Sequence, residues 1–171
     1  MTEIFLIPLE GAIVNNAKIL FQLPKEEIVN LIGEPNEIID NQYFYNDLDF
    51  RLDFDDNNQL EFMECQGPYS ETSDFKLYDI NPFALSDDEL IQLLNEKNNG
   101  EVDDFEAPNS YSFMEVSVGI WRASSPSDIE DTIAEMKKNN EYNNSEAIML
   151  QELEKSRHFW SIGIGRENYY K

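Results

Sequence analysis

The chain contains few residues that titrate near neutral pH and could act there as a nucleophile or general base. His158 is the only histidine and Cys65 the only cysteine. His158 falls in the last turn of a predicted helix, four residues after Glu154, where the helix dipole and the carboxylate both favour a cation. This placement favours a structural role, and the distance in sequence from Cys65 leaves a Cys–His dyad unsupported. Carboxylates are so abundant that some pair will lie at glycosidase spacing by chance, so a carboxylate-based hydrolase stays only as an alternative.

One segment imitates a calcium-binding loop. From Asp53 to Glu64, oxygen-bearing side chains occupy positions 1, 3, 5, 9 and 12 of the pattern. Position 6 is Asn58 instead of glycine, however, and the flanking residues alternate as in strands. The pattern therefore favours a hairpin, and we predict no metal site. Gly163-Ile164-Gly165 lacks the spacing of a nucleotide-binding fingerprint, so we predict no cofactor.

The charge balance restricts the classes of partner. The chain of 171 residues has 35 acidic and 12 basic residues, for a net charge of −23. Residues 1–120 carry 26 acidic and 5 basic residues, a net −21. Such a field repels nucleic acids and anionic membranes and attracts a basic protein. The alternative is that the carboxylates only keep the surface soluble.

Other features indicate where the protein acts. No apolar run approaches the roughly 20 residues that span a bilayer, so we expect no membrane segment. Met1-Thr2-Glu3 lacks the basic start of a signal peptide, and a lone cysteine cannot form an intramolecular disulfide. We therefore expect the protein in the cytoplasm.

Two acidic segments, 47–56 and 87–106, are the candidate contacts for a protein partner. Phe105 lies among carboxylates in a predicted loop, where binding residues often occur. Trp121 and Trp160 are expected in the core, and Arg122 is expected to be exposed and available to a partner. The predicted partner-binding residues are Asp47, Asp49, Asp53, Asp87, Asp88, Asp103, Asp104, Phe105, Glu106 and Arg122.

Hydrophobic periodicity and capping signals predict the elements. Helices are expected over 23–32, 85–94, 127–138 and 145–158, the second with Ser86 and Glu89 as a capping box and the third with Ser127 and Glu130. Strands are expected over 4–9, 18–23, 49–54, 60–63, 114–120 and 159–164. This composition predicts an α+β fold in which an antiparallel sheet packs against helices, in one domain spanning 1–171.

The two first helices resemble each other at an offset of 62 residues, which suggests a tandem pseudo-repeat over 17–66 and 79–122 followed by an extension over 123–171. The first unit combines a helix, Gly33-Glu34-Pro35, Tyr43-Phe44-Tyr45 and the strands ending at Phe54 and Phe62. It resembles the helix-plus-hairpin module of the β-lactamase inhibitor protein and of small outer-membrane assembly lipoproteins. The inhibitor proteins carry the module twice and grip an enzyme with a concave sheet.

The chain departs from that family because it lacks a lipobox cysteine and a disulfide, so a secreted role does not transfer. In its acidic α+β character it is also similar to bacterial toxin-immunity proteins. Together these features predict a stoichiometric protein-binding module, such as an immunity or enzyme-inhibitor protein. A self-assembling scaffold, in which an apolar sheet face pairs with its copy, is the remaining alternative.

Overall fold

A computed structural model describes residues 1–171 as an α+β fold of four helices and two sheets. The predicted fold class is confirmed. The small sheet is mixed, with strand order β3-β2-β1-β8, and the large sheet is antiparallel, with order β4-β5-β6-β7-β12-β11-β10-β9. The strands are β1 Thr2–Ile7, β2 Gly11–Val14, β3 Ala17–Leu20, β4 Glu37–Ile39, β5 Gln42–Tyr45, β6 Phe50–Phe54, β7 Leu60–Gln66, β8 Ser73–Leu77, β9 Val102–Asp103, β10 Ser110–Phe113, β11 Val118–Trp121 and β12 Ser161–Gly165; the helices are α1 Lys25–Ile32, α2 Asp87–Asn98, α3 Pro126–Lys138 and α4 Glu146–Ser156.

The large sheet consists of two four-stranded meanders that meet where β7 pairs with β12. One meander is β4 to β7 and follows α1; the other is β9 to β12 and follows α2. In each half, one helix therefore precedes four antiparallel strands along the chain, which is the order that a tandem repeat would produce. The second meander closes with β12, far beyond the predicted boundary at residue 122, because α3 and α4 are inserted after β11. Duplication itself stays a prediction.

The predicted hairpin around residues 55–58 is confirmed as the connection between β6 and β7. Phe50, Leu52 and Phe54 alternate inward along β6 and are buried. In the turn, one carboxylate oxygen of Asp55 accepts hydrogen bonds from the backbone N–H groups of Asn57 and Gln59, at 2.9 and 3.0 Å. These bonds stabilise the ionised form and lower the pKa of Asp55.

The single strand predicted over 114–120 is correct only for its second half, because residues 118–120 belong to β11. Residues 114–117 form instead the turn that joins β10 to β11, in which Ser117 adopts a left-handed conformation with φ 51°. The Ser117 side chain is buried and donates a hydrogen bond to the carbonyl of Arg166 at 2.9 Å. Alternation of apolar residues continues through the turn, so the pattern alone did not reveal it.

The capping box predicted for the third helix lies two residues earlier than expected. The Ser125 hydroxyl accepts from the backbone N–H of Asp128, and the Asp128 carboxylate accepts from the Ser125 backbone N–H at 2.8 Å. Pro126, at the first helical position, suits this start because its missing N–H is not needed there. The box predicted for α2 at Ser86 and Glu89 is confirmed.

One hydrophobic core joins the two sheets. A cluster of 24 buried residues includes side chains from the small sheet, such as Ile4 and Phe75, and from the large sheet, such as Met63 and Ile162. The opposite face of the large sheet is covered by the C-terminus, where Tyr170 lies over the paired glycines Gly119 and Gly163. A Cβ atom at either glycine would overlap this tyrosine. None of the helices has the length and apolar character that a membrane crossing requires.

The Ser125–Asp128 box predicts a pH dependence of stability. Hydrogen bonds from Ser125 lower the pKa of Asp128, so its contribution is complete above the carboxyl group's unfolded pKa of about 3.9 and is lost as the pH falls through the lower folded value. We expect Asp128→Asn to reduce the decrease in unfolding free energy between pH 5 and pH 3, measured by urea denaturation. Glu130→Gln removes the carboxylate of the capping box predicted from sequence and should leave the decrease in unfolding free energy between pH 5 and pH 3 as in the wild type. If Glu130→Gln reduces this decrease and Asp128→Asn does not, the cap is at Ser127.

Candidate protein-binding surface

One end of the large sheet gathers most of the predicted partner-binding residues. The register places Ser110, Trp121, Ser161 and Gln66 side by side on four adjacent strands. Just before the next strand, β6, the carbonyl of Asp49 accepts the backbone N–H of Gln66 at 2.8 Å. We call this row and the loops that leave it the tryptophan end. All of the predicted partner-binding residues except Asp53 lie on it or on elements bonded to it.

The loop over 103–109, the acidic loop, is held in a defined shape although it is exposed. The backbone N–H of Phe105 donates to the Asp103 carboxylate at 3.1 Å, and the N–H of Ala107 donates to the carbonyl of Asp104 at 2.9 Å. Within this frame the Phe105 side chain is 93% exposed, the most exposed large hydrophobic side chain of the chain. The acidic loop therefore exposes the Phe105 ring to solvent, among carboxylates, and the ring does not pack against the rest of the protein.

Arg122 holds the acidic loop in place from the protein interior. The expectation that Arg122 is exposed is wrong: only 3% of the residue is accessible. Its Nε donates to the carbonyl of Pro108 at 3.0 Å, while Nη1 donates to the Asp87 carboxylate at 2.5 Å and to the carbonyl of Ser156 at 3.0 Å. The guanidinium also lies 4.7 Å from the centroid of the Phe159 ring. Since the residue is buried and its Nε and Nη1 donors are used internally, Arg122 positions the loop and does not present its charge to a partner.

Two acids at the other side of the tryptophan end differ in availability. Asp47 is exposed and accepts one hydrogen bond from the Asn36 amide at 2.9 Å. The Asp49 carboxylate accepts from the hydroxyls of Ser70 and Thr72 at 2.6 and 2.7 Å, and so anchors the loop after β7. The Asp47 carboxylate therefore stays accessible to solvent, whereas the Asp49 carboxylate is used to hold the loop beside it.

The remaining predicted acids also divide into paired and free groups. Asp53 lies near the opposite end of β6, where Arg51 donates to its carboxylate at 2.7 Å, so it is separate from the tryptophan end. Asp87 is paired with Arg122. Asp88, in the first turn of α2, is exposed and makes no salt bridge closer than 4 Å.

The two tryptophans were expected in the core, and for Trp121 this is wrong. Trp121 is 46% exposed, and its ring meets that of half-buried Trp160 edge to face with centroids 6.4 Å apart. The Trp160 indole N–H donates to the carbonyl of Lys155 at 3.2 Å. A cavity of about 310 Å³ lies against both rings, and it is also lined by Glu64, Gln66, Gly67 and Ser161. Exposed Tyr69 lies on the loop after β7, which Gln66 and Gly67 lead into.

The sequence contained a partial signal for these aromatic residues. A Trp-Arg pair that ends a strand is typical of an interface anchor, but the same pair also occurs in cores. In the structure the expected burial is reversed: Arg122 is buried and donates to three acceptors, and Trp121 is exposed. The residue types of two sequence neighbours, here Trp121 and Arg122, therefore do not determine which of the two is buried.

No group of three or more His, Cys, Asp or Glu side chains is placed to hold a metal ion. Cys65 is fully buried, and burial raises the pKa of its thiol well above the usual value. Lys155 and Arg157, at and just after the end of α4, pair with Glu152 and Glu154 at 2.8 and 3.8 Å.

Removing the Arg122 guanidinium should release the acidic loop. We expect Arg122→Met to lower the free energy of unfolding by about 3 kcal/mol, because it leaves the Asp87 carboxylate and the carbonyls of Pro108 and Ser156 without their donor. Amide exchange of residues 105–107 and 109 should rise more than that of the β6–β7 hairpin. Arg157→Met is the matched control: it breaks an exposed pair and should change stability by less than about 1 kcal/mol. Equal exchange in the loop of both variants would contradict the positioning role of Arg122.

No protein-family model, curated protein or solved structure matches this chain. The case for a binding site at the tryptophan end therefore rests on its own geometry: a shaped loop, an exposed aromatic ring and unpaired carboxylates on one side of the fold.

Proposed function

We propose that this protein is a stoichiometric protein-binding module of the inhibitor or immunity type, which grips a basic partner in the cytoplasm with its tryptophan end. The proposal rests on the exposure of Phe105: this residue is 93% exposed, and the loop that contains it is ordered by internal hydrogen bonds. The fully buried thiol of Cys65 suits a reducing compartment, where no disulfide is required.

An exposed, preorganised aromatic ring is suited to act as an anchor. Burying a phenylalanine side chain gains about 1.5–3 kcal/mol relative to leaving it in water. Binding by a flexible loop would lose part of this gain to ordering, but the acidic loop is already ordered by its turns and by Arg122. Interface hot spots are typically aromatic anchors of this kind that enter a pocket of the partner.

The charge around the anchor indicates the chemistry of the partner. Asp103, Asp104 and Glu106 flank Phe105, and all three are exposed. The tryptophan pair and Tyr69 provide further aromatic surface between this loop and Asp47. Aromatic residues surrounded by a polar rim are typical of protein interfaces, and carboxylates here would select an apolar pocket bordered by Lys and Arg.

The topology of the large sheet adds support. The resemblance to the β-lactamase inhibitor protein rests on a helix-plus-hairpin module, and those proteins carry it twice. Here two helix-and-meander units form one eight-stranded sheet. Loops from both units reach the tryptophan end: Asp47 and Tyr69 from the first, and the acidic loop and Trp121 from the second.

The proposal predicts a covalent adduct when a photoreactive residue replaces Phe105. We expect Phe105→benzoylphenylalanine, expressed in the native host and irradiated, to give one discrete adduct with a basic protein, identified by mass spectrometry. Excess unlabelled wild-type protein should abolish the adduct, whereas excess Phe105→Ala should not. The same photoreactive group at Leu31, an exposed apolar position on α1, is the control. No adduct at 105, or the same adduct at both positions, would refute this use of the loop; an adduct with a second copy of the chain would indicate self-assembly instead.

Neutralising the carboxylates of the acidic loop should slow association with the partner more than neutralising carboxylates elsewhere on the surface. We expect Asp103→Asn/Asp104→Asn/Glu106→Gln to slow association with the cross-linked partner by about tenfold or more at low salt, because steering charges act through the encounter rate. The control, Glu130→Gln/Asp131→Asn/Glu135→Gln on exposed positions of α3, removes the same charge and should slow association less than threefold. Surface plasmon resonance at low and high salt would measure both. Equal slowing would mean that net charge alone attracts the partner.

A further inference from the structure

A second recess lies away from the tryptophan end, on the outward face of the small sheet. It has a volume of about 520 Å³, within the roughly 300–1,000 Å³ range of small-molecule sites. The register aligns Lys76, Phe5 and Ile13 on neighbouring strands, and all three line it. The core residues of the same strands, such as Ile4 and Phe75, face the other way. We call this recess the small-sheet cleft.

The lining of the small-sheet cleft is mostly apolar. Seven of its 11 lining residues are hydrophobic, and the only polar side chains are those of Lys76, Tyr78, Asp79 and Lys97. A peptide would bring many amide groups that these few side chains cannot satisfy, and each unsatisfied group is costly to bury. The lining therefore fits an unbranched hydrocarbon chain better than a peptide.

The cations in the lining are unusual for this chain. Residues 1–120 contain only five basic residues, and two of them, Lys76 and Lys97, line this one cleft. Lys97 forms no salt bridge within 4 Å; its ammonium lies 5.1 Å from the centroid of the Tyr78 ring. Lys76 is paired with Asp74 at 2.8 Å, and Asp79 is the one carboxylate in the lining. Lys97 is thus free to pair with an anion that enters the cleft.

The backbone around the cleft adopts conformations that its residue types disfavour. Leu77 and Ile80 exchange backbone hydrogen bonds across a two-residue turn in which Tyr78 and Asp79 have φ of 53° and 64°. Such a turn normally prefers Asn-Gly, because both central residues are left-handed. Leu9, which also lines the cleft, has φ 69°. Bulky residues kept in this region are strained, and such strain concentrates at functional sites.

We propose that the small-sheet cleft binds a single-chain aliphatic carboxylate of the fatty-acid class. The hydrocarbon chain would lie against Phe5, Ile13 and Leu9, and the carboxylate would pair with Lys97, with Lys76 beside it. A chain end without hydrogen-bonding groups matches the apolar lining, and a single negative charge matches the free ammonium. This site is separate from the tryptophan end and does not depend on the proposed function.

A fluorescent fatty acid provides the test. We expect 11-(dansylamino)undecanoic acid to bind with 1:1 stoichiometry, and oleate to displace it. Oleyl alcohol, which has the same chain without the charge, should compete at least roughly tenfold more weakly. The double variant Lys76→Gln/Lys97→Gln should weaken binding by a similar factor, while Lys137→Gln/Lys138→Gln, which removes two charges from α3, should change it less than twofold. Equal competition by acid and alcohol, no binding, or equal effects of the two double variants would overturn the proposal.

A second variant separates binding from stability. Leu9→Asn places a residue that tolerates the left-handed region at a position that is 40% exposed. We expect the melting temperature to stay level or rise, while affinity for the fluorescent acid falls severalfold. Unchanged affinity would remove Leu9 from the site and overturn the chain placement. Phosphatidylglycerol vesicles should not sediment the protein; if they do, the cleft recognises a bilayer instead of a free acid.

Discussion

The buried guanidinium of Arg122 is the interaction on which the arrangement of the second half depends. It bonds three segments that are distant in sequence: the carbonyl of Pro108, the carboxylate of Asp87 at the start of α2 and the carbonyl of Ser156 at the end of α4. A buried charge without partners would be costly, so the fold must bring these acceptors together or lose the arginine. The acidic loop and the helical insertion are therefore positioned by one side chain.

The large sheet uses its two faces differently. One face carries side chains such as Leu52 and Ile162 into the shared core. On the other face, Tyr169 stacks on Phe62 with ring centroids 4.6 Å apart, and Tyr170 lies on the glycines. The large sheet is therefore covered on both faces near its middle. The exposed aromatic residues Tyr69, Phe105 and Trp121 lie instead at the tryptophan end.

Local features of this fold could be read from sequence because they depend on neighbours along the chain. The capping box at Ser86, the stop of α1 at Gly33 and the alternation of β6 each involve residues a few positions apart. Where two local solutions were equally good, the prediction failed. The start of α3 offered two serines with acids three residues later, and the β10–β11 hairpin continued the alternation of a single strand through its turn.

The acidity, the α+β composition and the presence of carboxylates around Phe105 follow from the sequence alone, since composition and short-range pattern are properties of the chain. The burial of Arg122 and the exposure of Trp121 depend on the tertiary structure, because the three acceptors of the guanidinium come from residues about 14 to 35 positions away. The tertiary structure also brings acids from both halves to one end of the large sheet. That outcome follows from the pairing of β7 with β12, a long-range contact that no local pattern encodes.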